Sequence, residues 1–466
     1  MTIKLKYKKE IYFDEFKKTL MLFGPLLAAL LSQKGMSLIN ALFMGTLGPV
    51  ALAASSLADA LYSFIATVGI GILSSVGVLV ARAYGEKNSL RAGIVFYSSM
   101  CVTAVFCVLT IIILWFAPGY LVSLGQDPVV VGKTIEYMHA VIWGLPGLMV
   151  FFALLEFSSS LDQPRIAMVF SLISMPLVAL ANNIFVYGRF GLPKMGIVGI
   201  GLSTALVQWM ICIGFYIYVI GHKDLREYIK FSSKTFFEKG AAKEIIKIGL
   251  PAGLINLVET GMVFAAALMM GSFGTTTLAA HQIIMISTTV LCRFPMAFGI
   301  TSAIRVSRKL GMKEYKNVTT TFNANLLLGL VMGVIFGLVF AGFSVQIVNL
   351  FISQSEPSYG EVLRLARSYI YIGAVIQLVD YILRIIIGSL RGLKDTFVPM
   401  CICLVMYWVA GVGGGYVLGF IFHLEGIGIW IGQLLGLASA CLILYIRFHK
   451  VYGRMLADDF ESSSIL

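Results

Sequence analysis

Residues 33–54, QKGMSLINALFMGTLGPVALAA, return at residues 259–280 as ETGMVFAAALMMGSFGTTTLAA, with ten of 22 positions identical at an offset of 226. Gly35-Met36 recurs as Gly261-Met262, Met44-Gly45 with Gly48 as Met270-Gly271 with Gly274, and Leu52-Ala53-Ala54 as Leu278-Ala279-Ala280. Upstream, Phe23-Gly24-Pro25 and Gly249-Leu250-Pro251 each open an apolar run. A repeat this long is a duplicated bundle, and when both copies span a membrane the substrate site is expected between the halves. The copies differ at their first position, where Gln33 becomes Glu259.

Composition decides the solvent. Hydrophobic residues make up 59% of the chain and charged ones 12%, with a mean hydropathy of +0.91. Such a chain has too little polar surface for water, and 466 residues hold about a dozen spans of about 20 residues each. Backbone groups in hydrocarbon must pair internally, and membrane strands are about half this length with alternating polarity. The expected fold is therefore an all-α integral membrane protein with twelve transmembrane helices in two six-helix bundles related by the repeat. The apolar windows are 19–44, 51–81, 93–117, 134–160, 166–188, 196–221, 245–271, 276–306, 320–350, 367–390, 397–421 and 425–447. They divide the chain into a first bundle at 1–221, a cytoplasmic linker at 222–243, and a second bundle with its tail at 244–466.

Lysine and arginine set the orientation. With residue 1 in the cytoplasm, only Lys133, Arg189, Lys194, Arg364 and Arg367 of the 35 basic residues fall on the opposite face. Both termini are therefore expected inside. The net charge of +12 is spread over loops and tails without a binding module, so it argues topology and not nucleic acid. In the linker Phe231, Phe236 and Phe237 sit among lysines, as in a segment resting on headgroups. The seven cysteines show no CxxC or Cys/His spacing and are expected as small buried hydrophobes. No secretory signal is expected, since the first hydrophobic run is long and follows a polar tail. Gly132-Lys133-Thr134 lacks the glycine that a phosphate-binding loop needs five residues earlier, where Asp127 stands. No enzyme motif and no cofactor site is legible, so transport must run on an ion gradient or downhill.

Coupling then falls to ionisable residues inside spans, which are few. Glu259 and Asp380 are candidate cation-coupling residues, for sodium or for a proton. Burying a carboxylate in hydrocarbon costs several kcal/mol unless it is protonated, paired or wet. Arg384 stands one helical turn after Asp380, where a guanidinium and a carboxylate can touch. Arg293 and Lys34 are the other cations within spans, each readable as a charge partner or as a substrate contact. Asp59 is the obvious mid-span acid of the first half.

Several stretches resemble the MATE (multidrug and toxic compound extrusion) family. They are Ala41 to Gly48, Asn182 to Pro193, Gly196 to Gly199, Lys247 to Leu254, Ala279-Ala280-His281-Gln282 and Leu390 to Thr396, in order along nearly the whole chain. Arg305 to Gly311 and Arg391 to Asp395 are most similar to its NorM branch. In that branch the resemblance implies cation-binding or proton-carrying acids at Glu259 and Asp380. Where the family usually has a first-span aspartate this chain has Asn40, with Asn182 and Thr204 as partners. With Asp59 they make up a weaker polar site of the first half, in which the amide pair itself cannot take up a proton. Arg293 and Arg384 are not typical of the family's drug exporters.

Two functions are compatible with these residues. The first is a secondary antiporter that exports small amphipathic or drug-like molecules against sodium or protons by alternating access. The second is a carrier or flippase for an anionic substrate, an organic acid or lipid-linked sugar, with Lys34, Arg293 and Arg384 as anion contacts. In either case a monomer in a prokaryotic plasma membrane is expected, with a small-molecule substrate and no nucleic-acid partner.

Overall fold

The computed structural model describes residues 2–229 and 238–464, with side chains over 10–229 and 238–457. Phe231, Phe236 and Phe237 of the linker lie outside the described residues. Among the described residues twelve helices are long and apolar enough to cross a membrane: α1 (Glu10–Thr46), α2 (Pro49–Gly85), α3 (Ser89–Leu121), α4 (Pro128–Ser160), α5 (Pro164–Tyr187), α6 (Gly196–Gly221), α7 (Lys239–Ser272), α8 (Thr275–Gly311), α9 (Tyr315–Gly342), α10 (Tyr359–Gly392), α11 (Phe397–Ile421) and α12 (Glu425–Ala457). Among the described residues there is no strand. All twelve apolar windows are present as helices. Several run past their window, α1 by nine residues at its start and α12 by ten at its end, because a helix leaving hydrocarbon keeps its internal hydrogen bonds in water.

The repeat is visible in the backbone. Gly48 and Gly274, 226 apart, both start a helix with φ 102 and with ψ 173 and 167. That conformation strongly favours glycine. The turns before them match bond for bond: Leu47 N donates to Met44 O at 3.0 Å and Phe273 N to Met270 O at 3.2 Å, while Gly48 N reaches Gly45 O and Gly274 N reaches Gly271 O, each at 3.3 Å. Burial repeats as well. Met36, Met44 and Ala54 are buried, as are Met262, Met270 and Ala280, whereas Leu38 and Leu42 are 63% and 64% exposed and Phe264 and Leu268 65% and 63%. One face of each copy packs, and the other stays apolar, as hydrocarbon requires.

Packing sorts the helices into two compact units, Gly24–Gly253 and Met1–Phe23 with Leu254–Leu466. The sequence repeat divides between 221 and 244, whereas the packing divides inside α1 and α7, beside Pro25 and Pro251. Both prolines sit within continuous helices. In the Gly24–Gly253 unit, Arg91 of α3 holds both Glu238 and Glu244 at 2.9 Å, and the Tyr97 hydroxyl donates to Ile229 O at 3.0 Å, so both described ends of the linker are tied to α3.

In the other unit, α11 and α12 approach through glycines at every fourth position. A Cβ on Gly432 would collide with the Gly415 backbone, and one on Gly436 would lie 2.8 Å from Gly411 Cα. Small-residue seams are how helices pack closely in lipid. Along this seam α11 widens into π-helical turns at Met406–Gly413 and Val417–Ile421.

The same unit holds a buried polar network. Glu15 of α1 pairs with Arg305 of α8 through its carboxylate, and its carbonyl accepts from the same guanidinium at 2.5 Å. Arg305 also donates to Thr19, and Thr321 of α9 donates to the Glu15 carboxylate at 2.9 Å. From Thr19 the chain continues to Asn325 at 2.8 Å, Ser302 at 3.1 Å and Ser389 of α10 at 2.7 Å. Four helices are thereby joined in a region where each unpaired polar group would cost a lost hydrogen bond.

Candidate cation-coupling site

The site in the second half starts from a helix break. α8 is interrupted at Cys292, between Leu291 and Arg293. Pro295 has no N–H for the Leu291 carbonyl four residues back. Gln377 of α10, itself buried, donates to that carbonyl at 3.4 Å instead. The break places Cys292 and Arg293 midway along α8, within electrostatic reach of Arg384 on α10.

Those residues converge on one guanidinium. Arg384 donates through Nε to Asp380 Oδ1 at 3.1 Å, through Nη1 to Asn256 Oδ1 at 3.0 Å and through Nη2 to the Glu259 carboxylate at 2.5 Å. The Asp380 contact is the one-turn pairing that the spacing anticipates. The Glu259 contact crosses from α10 to α7, 125 residues away in the chain. With side-chain exposures of 19% for Arg384, 24% for Glu259 and 10% for Asp380, the three are screened but not sealed. Two carboxylates against one guanidinium leave a surplus negative charge. Asn256 is the member that sequence reading missed. It lies one helical turn before Glu259 on α7, a signal available from the sequence.

Arg293 is brought near this cluster yet joins none of its acids. Its Nη1 lies 3.6 Å from Met296 Sδ, and its buried Nε has no partner among the described residues.

The polar residues of the first half form a separate group in the other unit. Asn40 Nδ2 donates to Thr204 Oγ1 at 2.9 Å, and Asn182 Nδ2 donates to Asn40 Oδ1 at 2.8 Å. Ser203, absent from the sequence expectations, donates to Asn182 Oδ1. Each amide oxygen thus already accepts a protein donor, and none of the four side chains can carry a charge at neutral pH. Asp59, expected in the same polar site, is not part of this group: its partners are the Tyr137 hydroxyl and Lys34. Asn40→Ala should therefore leave the ion dependence of transport unchanged while costing about 1–3 kcal/mol through the groups it orphans. Thermal unfolding and ion titration of flux, measured on one preparation, check both halves of that expectation.

The sequence model of the MatE family matches residues 25–185 and again 251–417, two copies starting 226 apart as the repeat does. The chain is 31% identical to a probable multidrug resistance protein NorM of Pseudomonas aeruginosa, over 97% of this chain and 93% of that one. It is 29% identical to the multidrug resistance protein NorM of Vibrio cholerae over 98% of each. Its fold matches the Vibrio cholerae MATE transporter VcmN in the bent form with a TM-score of 0.85 at 17% identity, over 96% of this chain and 98% of that one. It also matches an outward-facing multidrug resistance MATE transporter at 0.84 and 18% identity, over 95% and 97%. A family match over both halves, with a full-length relative above 30% identity, makes this chain a member of the MatE family of multidrug and toxic compound extrusion proteins, a membrane transporter and not an enzyme.

Proposed function

We propose that the chain is a secondary antiporter that exports small amphipathic, drug-like molecules in exchange for sodium ions or protons, with Glu259 and Asp380 carrying the coupling ion. The observation that carries this reading is the Arg384 guanidinium held between two carboxylates, with one negative charge left over. A surplus charge inside a span attracts a small cation. A sodium ion or proton taken by one acid would weaken its hold on Arg384 and leave the guanidinium to the other. Arg384 is then a resident counter-charge that moves between the two states. The names of the NorM relatives support the drug-like substrate. The basic residues support cytoplasmic termini in a prokaryotic plasma membrane, and a monomer suffices because the cluster is complete within one chain.

The anion-carrier reading loses most of its contacts, since Arg384 is committed to two acids and Lys34 faces Asp59. Proteoliposomes with imposed sodium or pH gradients, offered one cationic dye and one organic anion, test the choice. Gradient-driven movement of the dye is expected, and movement of the organic anion alone would overturn the exporter. Arg384→Ala should lower the sodium or proton concentration for half-maximal flux by about tenfold or more, because two acids without their counter-charge recruit an external cation more strongly. An unshifted ion dependence in that variant would remove Arg384 from the coupling step.

A further inference from the structure

Of four charged side chains on α7, α8 and α10, linked electrostatically through Arg384, three satisfy each other. The fourth, Arg293, does not. Among the described residues no carboxylate pairs with it; its Nη1 has only the weak thioether acceptor of Met296, and its Nε is buried without any partner. The titratable groups that face it are the Cys292 thiol and the guanidinium of Arg384, a like charge. An arginine in this setting, midway along a span, carries an uncompensated desolvation cost of several kcal/mol.

The charges of the neighbourhood are complementary to a particular ligand. Glu259, Asp380 and Arg384, when both acids are ionised, together leave one negative charge, and Arg293 presents one positive charge on α8, within electrostatic reach of Arg384 and paired with neither acid. A molecule carrying both a cationic and an anionic group would meet each with its opposite. A guanidinium with a free edge prefers a planar oxyanion that it can bind through two N–H groups. We propose that Arg293 is a specificity-determining substrate contact, taking a carboxylate on an otherwise cationic amphipathic molecule, so that zwitterions are favoured over simple organic cations. This rests on the exporter reading and deepens it by naming the substrate class.

Rhodamine B and its ethyl ester separate the two ideas, because they share ring system and cationic charge and differ in the free carboxylate. Binding to the purified full-length protein by fluorescence polarisation, and flux in proteoliposomes, are measured for wild type, Arg293→Gln and Arg293→Lys. Wild type should prefer the acid by about tenfold, the worth of one good charge-assisted contact. Arg293→Gln should abolish the preference while binding the ester as wild type does, which also shows that the variant is folded. Arg293→Lys should keep part of the preference, with a point charge in place of the fork. Equal affinity of wild type for acid and ester, or an equal loss of both in Arg293→Gln, would overturn the assignment. If wild type moves neither dye under a sodium or pH gradient, the exporter reading falls and takes the assignment with it. If it moves the ester but shows no preference for the acid, only the assignment falls.

Discussion

Glu259→Gln is expected to abolish gradient-driven transport while leaving the protein folded. Glutamine is nearly the size of glutamate and can still accept the Arg384 Nη2 hydrogen bond, so the geometry between α7 and α10 should persist. What disappears is the surplus charge, since one carboxylate and one guanidinium cancel. A unit charge about 4 Å away in a partly screened site is worth about 4 kcal/mol to a cation, on the order of a thousandfold in affinity. Asp380→Asn removes the same charge and the pairing along α10, and should have the same result. The measurement is dye flux in proteoliposomes under a sodium or pH gradient, with thermal unfolding alongside. Wild-type flux from both variants would end the assignment of coupling to these acids.

The largest stability effect is expected from Arg305→Ala. Side-chain exposures of 8% for Arg305 and 6% for Glu15 mark a buried ion pair. Breaking such a pair from one side costs about 3–5 kcal/mol, because the remaining charge stays buried. Lys309 lies 3.7 Å from the other Glu15 oxygen and compensates only in part. Thr321→Val, which removes one neutral donor to the same carboxylate, should cost nearer 1 kcal/mol. Replacing both charges, as in Glu15→Gln with Arg305→Met, should recover much of the loss, since no charge is then stranded. The melting temperatures of the purified variants check the order. An unchanged value for Arg305→Ala would mean that α1 is held to α8 by apolar packing alone.

Gly48 and Gly274 show how much can be read locally. Each lies at a turn whose positive φ strongly favours glycine, and each returns in the repeat at the same offset. The twelve spans are equally legible, because hydrocarbon demands long apolar helices and leaves the chain no other way to satisfy its backbone. The contact of Arg384 with Asp380 follows from helix geometry alone. These features depend on residues within a few turns of each other, or on the solvent, and the sequence by itself determined them.

The remaining contacts depend on which helix faces which. Spacing along α10 cannot show that the same guanidinium also reaches Glu259 and Asn256, 125 and 128 residues away. Nor can it show that Glu15, set among the lysines of the first segment, is buried against Arg305. Amphipathic patterning is weak where both lipid and core are apolar, so the face a helix turns inward is decided by packing with its neighbours. Arg293 shows the same limit from the other side. The sequence marks it as a cation inside a span, and only the tertiary structure, by giving Glu259 and Asp380 to Arg384, leaves it without an acid among the described residues.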